Sequence, residues 1–202
     1  MSGRSPIIAI GVGPLLTSSR ALASAGLRVV DVDELGTHGG SLRVFARPEQ
    51  AGGEPTEQVK AVLAAEEAAG LHTVAGHEGF APAVLGIKSD LLGFLLTAAR
   101  EDRCVAGYGA PGKGNTLLNH CGIRSDLLSY TVDRSPVKQG KFLPGTHIPI
   151  YAPERLAESR PDYILVLPWN LREEISRQLG YVGSWGGKLV FPIPELEIVS
   201  VG

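Results

Sequence analysis

The sequence predicts an α/β fold with a mostly parallel sheet and flanking helices, preceded by one helix and an antiparallel strand pair. In the C-terminal half, short apolar runs alternate with helical patterns, as is typical of parallel sheets. One run, Ile164 to Leu167, is continuously apolar, as expected for a strand buried on both faces. Another, Cys104 to Tyr108, leads into a glycine-rich segment suited to a strand-to-helix turn.

Residues 1–48 form the predicted N-terminal appendage. A helix is predicted from Thr17 to Ala25, and strands from Leu27 to Val32 and from Ser41 to Ala46. The turn-rich stretch between the strands favours an antiparallel ribbon. A two-stranded apolar ribbon needs a covered edge, so we expect Ile7 to Ile10, or a second copy of the chain, to pair with the strand at Leu27 to Val32.

A linker rich in glycine and proline then leads to the predicted second domain, residues 56–199. Its predicted elements are, in order, helices at 56–69 and 82–100, a strand at 104–108, a helix at 115–122, a strand at 127–132, a helix at 153–159, a strand at 164–167, a helix capped by Asn170, and a strand at 188–192. The longer of the first two helices carries a predicted apolar face that includes Leu85, Leu91, Leu92, Leu95 and Leu96.

Composition excludes several classes of partner. The 202 residues carry a net charge of −2, whereas a nucleic-acid partner normally requires a basic face. No uninterrupted apolar run approaches the ~20 residues that span a bilayer, so no membrane partner is expected. The two cysteines, Cys104 and Cys121, lie in apolar stretches and form no metal motif. They predict reduced core thiols and a cytoplasmic location.

The segment Gly107 to Asn115 is the strongest candidate for a ligand site. Its glycines expose backbone N–H groups, the following helix start adds partial positive charge, and Lys113 adds a full charge. A phosphate or carboxylate would suit it. A P-loop is excluded because Gly114 stands where Ser or Thr would bind magnesium. Asp133 ends the next strand, where a Rossmann-like fold places its ribose-binding acid; a tight turn without ligand remains the alternative.

Three weaker patterns accompany this loop. Gly11 to Gly13, followed by Asp31 and Asp33, imitates a dinucleotide fingerprint, although Leu16 replaces the third glycine. The stretch from His38 to Arg43 could bind a diphosphate or be an exposed loop.

The third pattern is a basic cluster just after the second strand of the later region, formed by Arg134, Lys138 and Lys141. It would lie near the glycine loop or form a solvated surface. His72 and His77 lack a third ligand, so no metal site is predicted.

Four segments together resemble the C-terminal portion of S-adenosylmethionine-dependent sugar C-methyltransferases, including those that act on dTDP sugars. They occur in the same order and at comparable spacing: Thr37 to Arg43, Gly107 to Thr116, Gln139 to Thr146, and Leu167 to Asn170. The resemblance implies a three-part enzyme with a zinc-binding domain, a methyltransferase domain, and a Rossmann-like C-terminal domain that helps to bind a nucleotide-linked keto-sugar.

This sequence lacks the family's zinc-ligand cysteines and the cofactor-binding front of the methyltransferase domain. The family's Tyr-His-Glu-His stretch would lie just before Thr17, where Ile7 to Leu16 contain no acid or histidine. The resemblance thus implies a substrate-holding region with unassigned catalytic residues and no cofactor of its own, S-adenosylmethionine belonging to the missing domain. The expected partners are a nucleotide-linked sugar and either a second copy or a separate catalytic chain. The expected substrate contacts are His38, Ser41, Arg43, Lys113, Asn115, Lys138 and Lys141.

Two alternatives remain open. The two glycine loops, each with aspartates downstream, are also compatible with a stand-alone NAD(P)-dependent oxidoreductase. An interaction domain without a ligand is the other.

Overall fold

The computed structural model describes residues 7–11, 13–36 and 40–202, and the chain forms two compact units, Met1–Ala81 and Pro82–Gly202. The predicted boundary lay earlier, in the linker at 48–55. The helix after that linker instead belongs to the first unit, because its residue Val59 is buried together with Val29 and Val44 of the N-terminal strands.

In the first unit, the described residues form a three-stranded sheet and two α-helices: β1 (Ile7–Gly11), α1 (Leu15–Ser24), β2 (Leu27–Leu35), β3 (Ser41–Pro48) and α2 (Glu57–Ala68). Short 3-10 turns lie at Glu49–Ala51 and Ala75–His77. The helix α2 begins as predicted at Thr56, whose hydroxyl accepts the N–H of Val59.

The antiparallel pairing of the two predicted strands is confirmed, and β1 also pairs with this ribbon. The predicted edge was wrong, however, because β1 lies against β3 and the strand order is β1-β3-β2. The outer side of β2 is instead met by Thr56. Its N–H donates to Val30 O at 3.0 Å, and its hydroxyl donates to Asp31 Oδ1 at 2.7 Å. A bulge at Val30 turns this carbonyl outward.

Glu66 joins the two helices of the first unit. Its carboxylate accepts the N–H of Leu15 at 2.5 Å and the N–H of Leu16 at 2.8 Å. These two N–H groups are the first of α1, and the preceding residue, Pro14, has no side chain that could cap them. A carboxylate at this point satisfies two amides that the helix leaves unpaired and complements the helix dipole. Leu15, fully buried, is thereby fixed in the core.

The second unit, all of whose residues are described, contains a six-stranded sheet of order β6-β5-β4-β7-β8-β9. Its elements begin with α3, which starts just before the division between the units. They are α3 (Phe80–Arg100), β4 (Val105–Tyr108), α4 (Gly112–Cys121), β5 (Thr131–Val132), β6 (Ile150–Tyr151), α5 (Arg155–Ser159), β7 (Tyr163–Val166), α6 (Arg172–Gln178), β8 (Lys188–Phe191) and β9 (Glu197–Ser200). All neighbours are parallel except β9, which runs antiparallel to β8.

Helices cover both faces of this sheet. On one face, α3 and α4 pack against alternate strand residues such as Val105 and Leu165. On the other, α5 and α6 pack against Ala106 and Ile164. Because successive strand residues point to opposite faces, both sets must be apolar. The predicted Rossmann-like α/β architecture is therefore confirmed.

Several local predictions were wrong. The strand expected at 127–132 is formed only by Thr131–Val132, because Leu127 and Leu128 both donate backbone hydrogen bonds to Arg124 O in a turn. Asn170 does not cap a helix; it lies in the 3-10 turn Trp169–Leu171. The short strand β6 and the antiparallel strand β9 were not predicted.

The long helix α3 has a narrower buried face than its leucines suggest. Leu91 and Leu95 are buried, whereas Leu85 and Leu96 are exposed. By length and composition alone, the stretch Ala75–Arg100 is apolar enough to cross a membrane. Leu91 and Leu95 nevertheless pack in the core of the second unit, so this face of the helix already has a protein partner.

We expect Glu66→Ala to weaken the start of α1. Loss of a two-amide cap should cost about 1 kcal/mol and should speed hydrogen exchange of the Leu15 and Leu16 amides, measured by mass spectrometry. Glu67→Ala is the matched control, because Glu67 is an exposed neighbour on the same helix. Equal exchange in both variants would contradict this role of Glu66.

Candidate functional site

The glycine loop lies where the strand order of the second unit changes direction. From β4, the chain proceeds to β5 and β6 on one side, and then to β7 and β8 on the other. The loops after β4 and β7 therefore lead to opposite faces of the sheet, to α4 on one face and to α6 on the other. We call the carboxyl edge between these two loops the crevice. In open α/β sheets, ligands bind at this point.

Two glycines bring the loop close to its neighbours. At Gly107, a Cβ would lie 2.6 Å from the Thr131 hydroxyl oxygen, so only glycine fits between β4 and β5. Gly109 has a φ of +86°, and a Cβ there would lie 2.7 Å from Pro168 Cδ. Both contacts are closer than side chains tolerate, so the turn is pressed against the strands on either side of β4.

Gly114 brings α4 equally close to β7. A Cβ at this position would lie 2.7 Å from the Cβ of Leu167, which is fully buried. The serine or threonine of a P-loop could not be accommodated here without displacing α4. A P-loop was excluded from the sequence because position 114 has no hydroxyl. The contact with Leu167 explains why this position is a glycine.

Asp133 links the glycine loop to the segment after β5. Its carboxylate accepts the N–H of Ala110 at 2.7 Å, the N–H of Ser135 at 2.8 Å, and the ammonium of Lys138 at 3.0 Å. Burial raises the pKa of Asp133, but the bonds from Ser135, Lys138 and Ala110 together outweigh it, so the pKa lies below its ordinary value. The group is thus held as a carboxylate.

These bonds change the interpretation of two predicted residues. Asp133 uses its carboxylate within the protein, which is not the arrangement of a free ribose-binding acid. The ammonium of Lys138 also donates to Ala110 O at 3.0 Å. Both backbone groups of Ala110 are therefore bound, the N–H by Asp133 and the carbonyl by Lys138. Lys138 remains about two-fifths exposed and can still present charge to the crevice.

Lys113 is arranged differently. Among the described residues it forms no ion pair, and its ammonium lies over the indole ring of Trp169, 5.0 Å from the ring centroid. Burial lowers the pKa of Lys113. Two residues further along α4, the Asn115 Oδ1 atom is buried and has no hydrogen-bond partner among the described residues. A cation without a counterion and an unsatisfied amide oxygen thus both lie in the first turns of α4.

The excursion between β5 and β6 carries the third predicted segment, from Gln139 to Thr146. Its tip is attached to the end of α4, because the Asn119 side chain donates to Pro144 O at 3.0 Å and Arg124 donates to Gly145 O. Lys141 is exposed. The predicted lysines therefore belong to two segments of the same sheet edge, Lys113 to the start of α4 and Lys138 and Lys141 to the connection between β5 and β6. The side chains of Lys113 and Lys138 contact groups around the crevice.

The remaining predicted contacts belong to the first unit. Leu42 and Val44 face its core, as predicted, but Ser41 is buried as well. It lines a cavity of about 530 Å³ bounded by the start of α1, the end of β2 and the small residues of α2. Arg43 pairs across the ribbon with Asp33 at 3.4 Å. His38 lies outside the described residues.

The dinucleotide fingerprint at Gly11 to Gly13 was a wrong interpretation. In that motif two parallel strands are neighbours, whereas here β3 lies between β1 and β2 and is antiparallel to both.

The two cysteines differ in burial. Cys121 is buried as predicted, but Cys104 is exposed. Within residues 13–36 and 40–202, no three histidine, cysteine or acidic side chains come together as metal ligands.

Comparison with known proteins gives the family. A family model described as "C-methyltransferase C-terminal domain" matches residues 36–194. The chain belongs to this family. The C-methyltransferase NovU of Streptomyces niveus is 38% identical over 177 residues, which cover 88% of this chain and 42% of NovU. The chain thus spans less than half the length of this relative. A crystal structure of UDP-D-quinovosamine 4-dehydrogenase from Vibrio fischeri matches with a TM-score of 0.38 and 17% identity, over 49% of this chain and 94% of that chain.

Family membership confirms the resemblance predicted from the four segments, and the structure explains why two of them accompany each other. The segment Leu167 to Asn170 meets the glycine loop at Gly109 and Gly114. Trp169, which lies at the same sheet edge and contacts Lys113, was not predicted as a candidate site residue. The signal was present, because this tryptophan follows a buried parallel strand and must therefore lie at the carboxyl edge of the sheet.

We expect Gly114→Ala to destabilise the second unit by about 1–3 kcal/mol, because the added methyl group would overpack against Leu167. Gly112→Ala is the matched control. A Cβ at Gly112 meets nothing within 4 Å, so this variant should be neutral or slightly more stable. Urea unfolding followed by tryptophan fluorescence reports on this unit, which contains both tryptophans. Similar midpoints for the two variants would contradict the packing argument.

We expect Asp133→Asn to destabilise the second unit at neutral pH by about 1–3 kcal/mol, because two N–H groups and Lys138 lose a charged acceptor. The folded pKa is depressed, so the contribution of Asp133 is fully present above the unfolded pKa of about 3.9 and declines as pH falls through the lower folded value. The stability difference between wild type and variant should therefore shrink in acid. A difference that stays constant between pH 7 and the acid range would contradict a titrating Asp133.

Proposed function

We propose that this chain is the nucleotide-sugar-binding region of a cytoplasmic sugar C-methyltransferase, in the class that acts on dTDP-linked keto-sugars. In this proposal S-adenosylmethionine binds to a methyltransferase domain that this sequence does not include. That domain would be supplied by the same polypeptide or by a separate chain, and the catalytic residues would lie there. Membership in the C-methyltransferase C-terminal domain family supports the methyltransferase part of the proposal.

The observation that carries the substrate part is the uncompensated charge at the crevice. Pro111 gives no side-chain cap to α4, so the amides of its first turn have no side-chain acceptor in the part of the chain that the structure describes. Lys113 adds a cation that pairs with no carboxylate among the described residues. A diphosphate would supply oxygen acceptors to the amides and a counterion to the lysine.

Lysine and asparagine would have different roles toward such a ligand. Lys113 would bind the diphosphate, and the buried Oδ1 of Asn115 could accept a donor from the ligand. Lys138 would act mainly by holding Ala110 through its carbonyl, while adding charge nearby. Lys141, which is exposed, would attract the anion at longer range.

His38, Ser41 and Arg43 are proposed as substrate contacts within the first unit. Ser41 lines the cavity beside the start of α1 in that unit. Arg43 would have to exchange its cross-strand partner Asp33 for a ligand phosphate. An exposed ion pair of this kind contributes little to stability, so the exchange is inexpensive.

Thermal denaturation with a small ligand panel tests the proposal. A dTDP-linked sugar and dTDP should raise the melting temperature, because they bind only the native state, whereas thymidine, lacking the diphosphate, should have little effect. Stabilisation by NAD alone would favour the oxidoreductase alternative. No shift with any ligand would favour an interaction domain.

Lys113→Met should weaken dTDP binding about tenfold or more, as expected for loss of a charge-assisted hydrogen bond. Lys188→Met is the matched control, because Lys188 is an exposed lysine at the amino end of β8, the opposite edge of the sheet. Isothermal titration calorimetry measures both. Equal affinities for the two variants would contradict diphosphate binding at α4.

A further inference from the structure

The pair formed by Lys113 and Trp169 joins the two sides of the crevice. Lys113 lies in the first turn of α4, after β4, and Trp169 begins the 3-10 turn after β7. These two loops border the point where the strand order reverses. The contact between the ammonium and the indole ring therefore spans the mouth of the proposed site.

We propose that Trp169 is a positioning residue that holds the Lys113 ammonium at the crevice by a cation–π contact, which is kept while the ammonium also binds the diphosphate. The proposal rests on the function proposed above. It assigns to Trp169 a role in ligand affinity that operates through Lys113.

The choice of an aromatic partner has a physical consequence. A carboxylate beside Lys113 would neutralise it, and an incoming phosphate would then have to displace a full negative charge. The indole face attracts the cation without cancelling its charge. The same sheet edge offers the contrasting case in Lys138, whose ammonium is paired with Asp133 and also bound to Ala110 O. Of these two lysines, only Lys113 keeps its charge uncompensated.

The ring is well anchored for this task. Trp169 is partly buried and packs against both apolar cores of the second unit. The preceding residue, Pro168, is pressed against Gly109, and Leu167 N–H donates to Tyr108 O at 3.0 Å. The indole position is therefore fixed relative to the start of α4. The flexible lysine side chain loses less freedom on ligand binding if the ring has already restricted it.

A double-mutant cycle on the full chain tests the coupling, with dTDP as the probe in isothermal titration calorimetry. Trp169→Leu should weaken dTDP binding about three- to tenfold, the range expected for one cation–π contact. Trp169→Phe, which keeps an aromatic face, should restore most of the affinity. In a Lys113→Met background, Trp169→Leu should cause no further loss. An equal loss in both backgrounds would show that Trp169 acts without Lys113, and would overturn the proposal.

A fluorescence experiment tests the contact without any ligand. The chain has two tryptophans, so Trp185→Phe leaves Trp169 as the single indole emitter. In this background Lys113→Met should change the emission of Trp169, whereas Lys188→Met should not. No effect of Lys113→Met overturns the contact.

The two experiments separate failure of this inference from failure of the proposed function. If wild type binds no nucleotide, the proposed function and the role of Trp169 in affinity fail together, while the emission change still decides whether the contact exists. If wild type binds dTDP but Lys113→Met leaves Trp169 emission unchanged, the function stands and the positioning role is overturned.

Discussion

The close contact between the β4–α4 turn and the end of β7 determines the shape of the C-terminal unit. Gly109 lies against Pro168, and Gly114 lies against Leu167, at separations that admit no side chain on either glycine. These contacts fix the start of α4 relative to the neighbouring strand. The position of the first turn of α4 and that of Trp169, next to Pro168, both depend on this contact. A larger residue at either glycine would move the helix away from the loop it faces.

Charge at this sheet edge is divided between a structural and an available part. Asp133 and Lys138 bind each other and Ala110, and the depressed pKa of the acid records how fully the carboxylate is engaged. Lys113 contacts an aromatic face instead of an acid. The same edge thus contains one lysine that stabilises the loop and one whose charge is available to an anion. This division agrees with the proposed diphosphate ligand, since Asp133, the acid that could have bound a ribose, is engaged within the protein.

In the N-terminal unit, the backbone groups of a small antiparallel sheet and its short helices need hydrogen-bond partners. The strand β1 covers β3, and Thr56 satisfies the outer carbonyl of β2 at its bulge. Glu66 replaces the missing cap of α1 with a carboxylate from α2. Each device pairs backbone groups that the short elements would otherwise leave open, as required of buried polar groups. The cavity lined by Ser41 lies between these same elements.

The sequence by itself determined the class of fold, the antiparallel ribbon near the N-terminus, the helix after Thr56 and the family. The spacing of apolar residues, helix-capping residues and glycine-rich turns are all signals that lie within short stretches of sequence. It also located Lys113 and the glycine loop. Only the tertiary structure decided what the charged groups do, since Asp133, Lys138 and Ala110 meet across 23 and 28 residues of chain. The strand order likewise depends on long-range pairing. Because β3 pairs between β1 and β2, the segment Gly11 to Gly13 is not a dinucleotide-binding motif. Trp169 entered the site for the same reason: its distance from Lys113 is set by packing against two cores and not by any spacing along the chain.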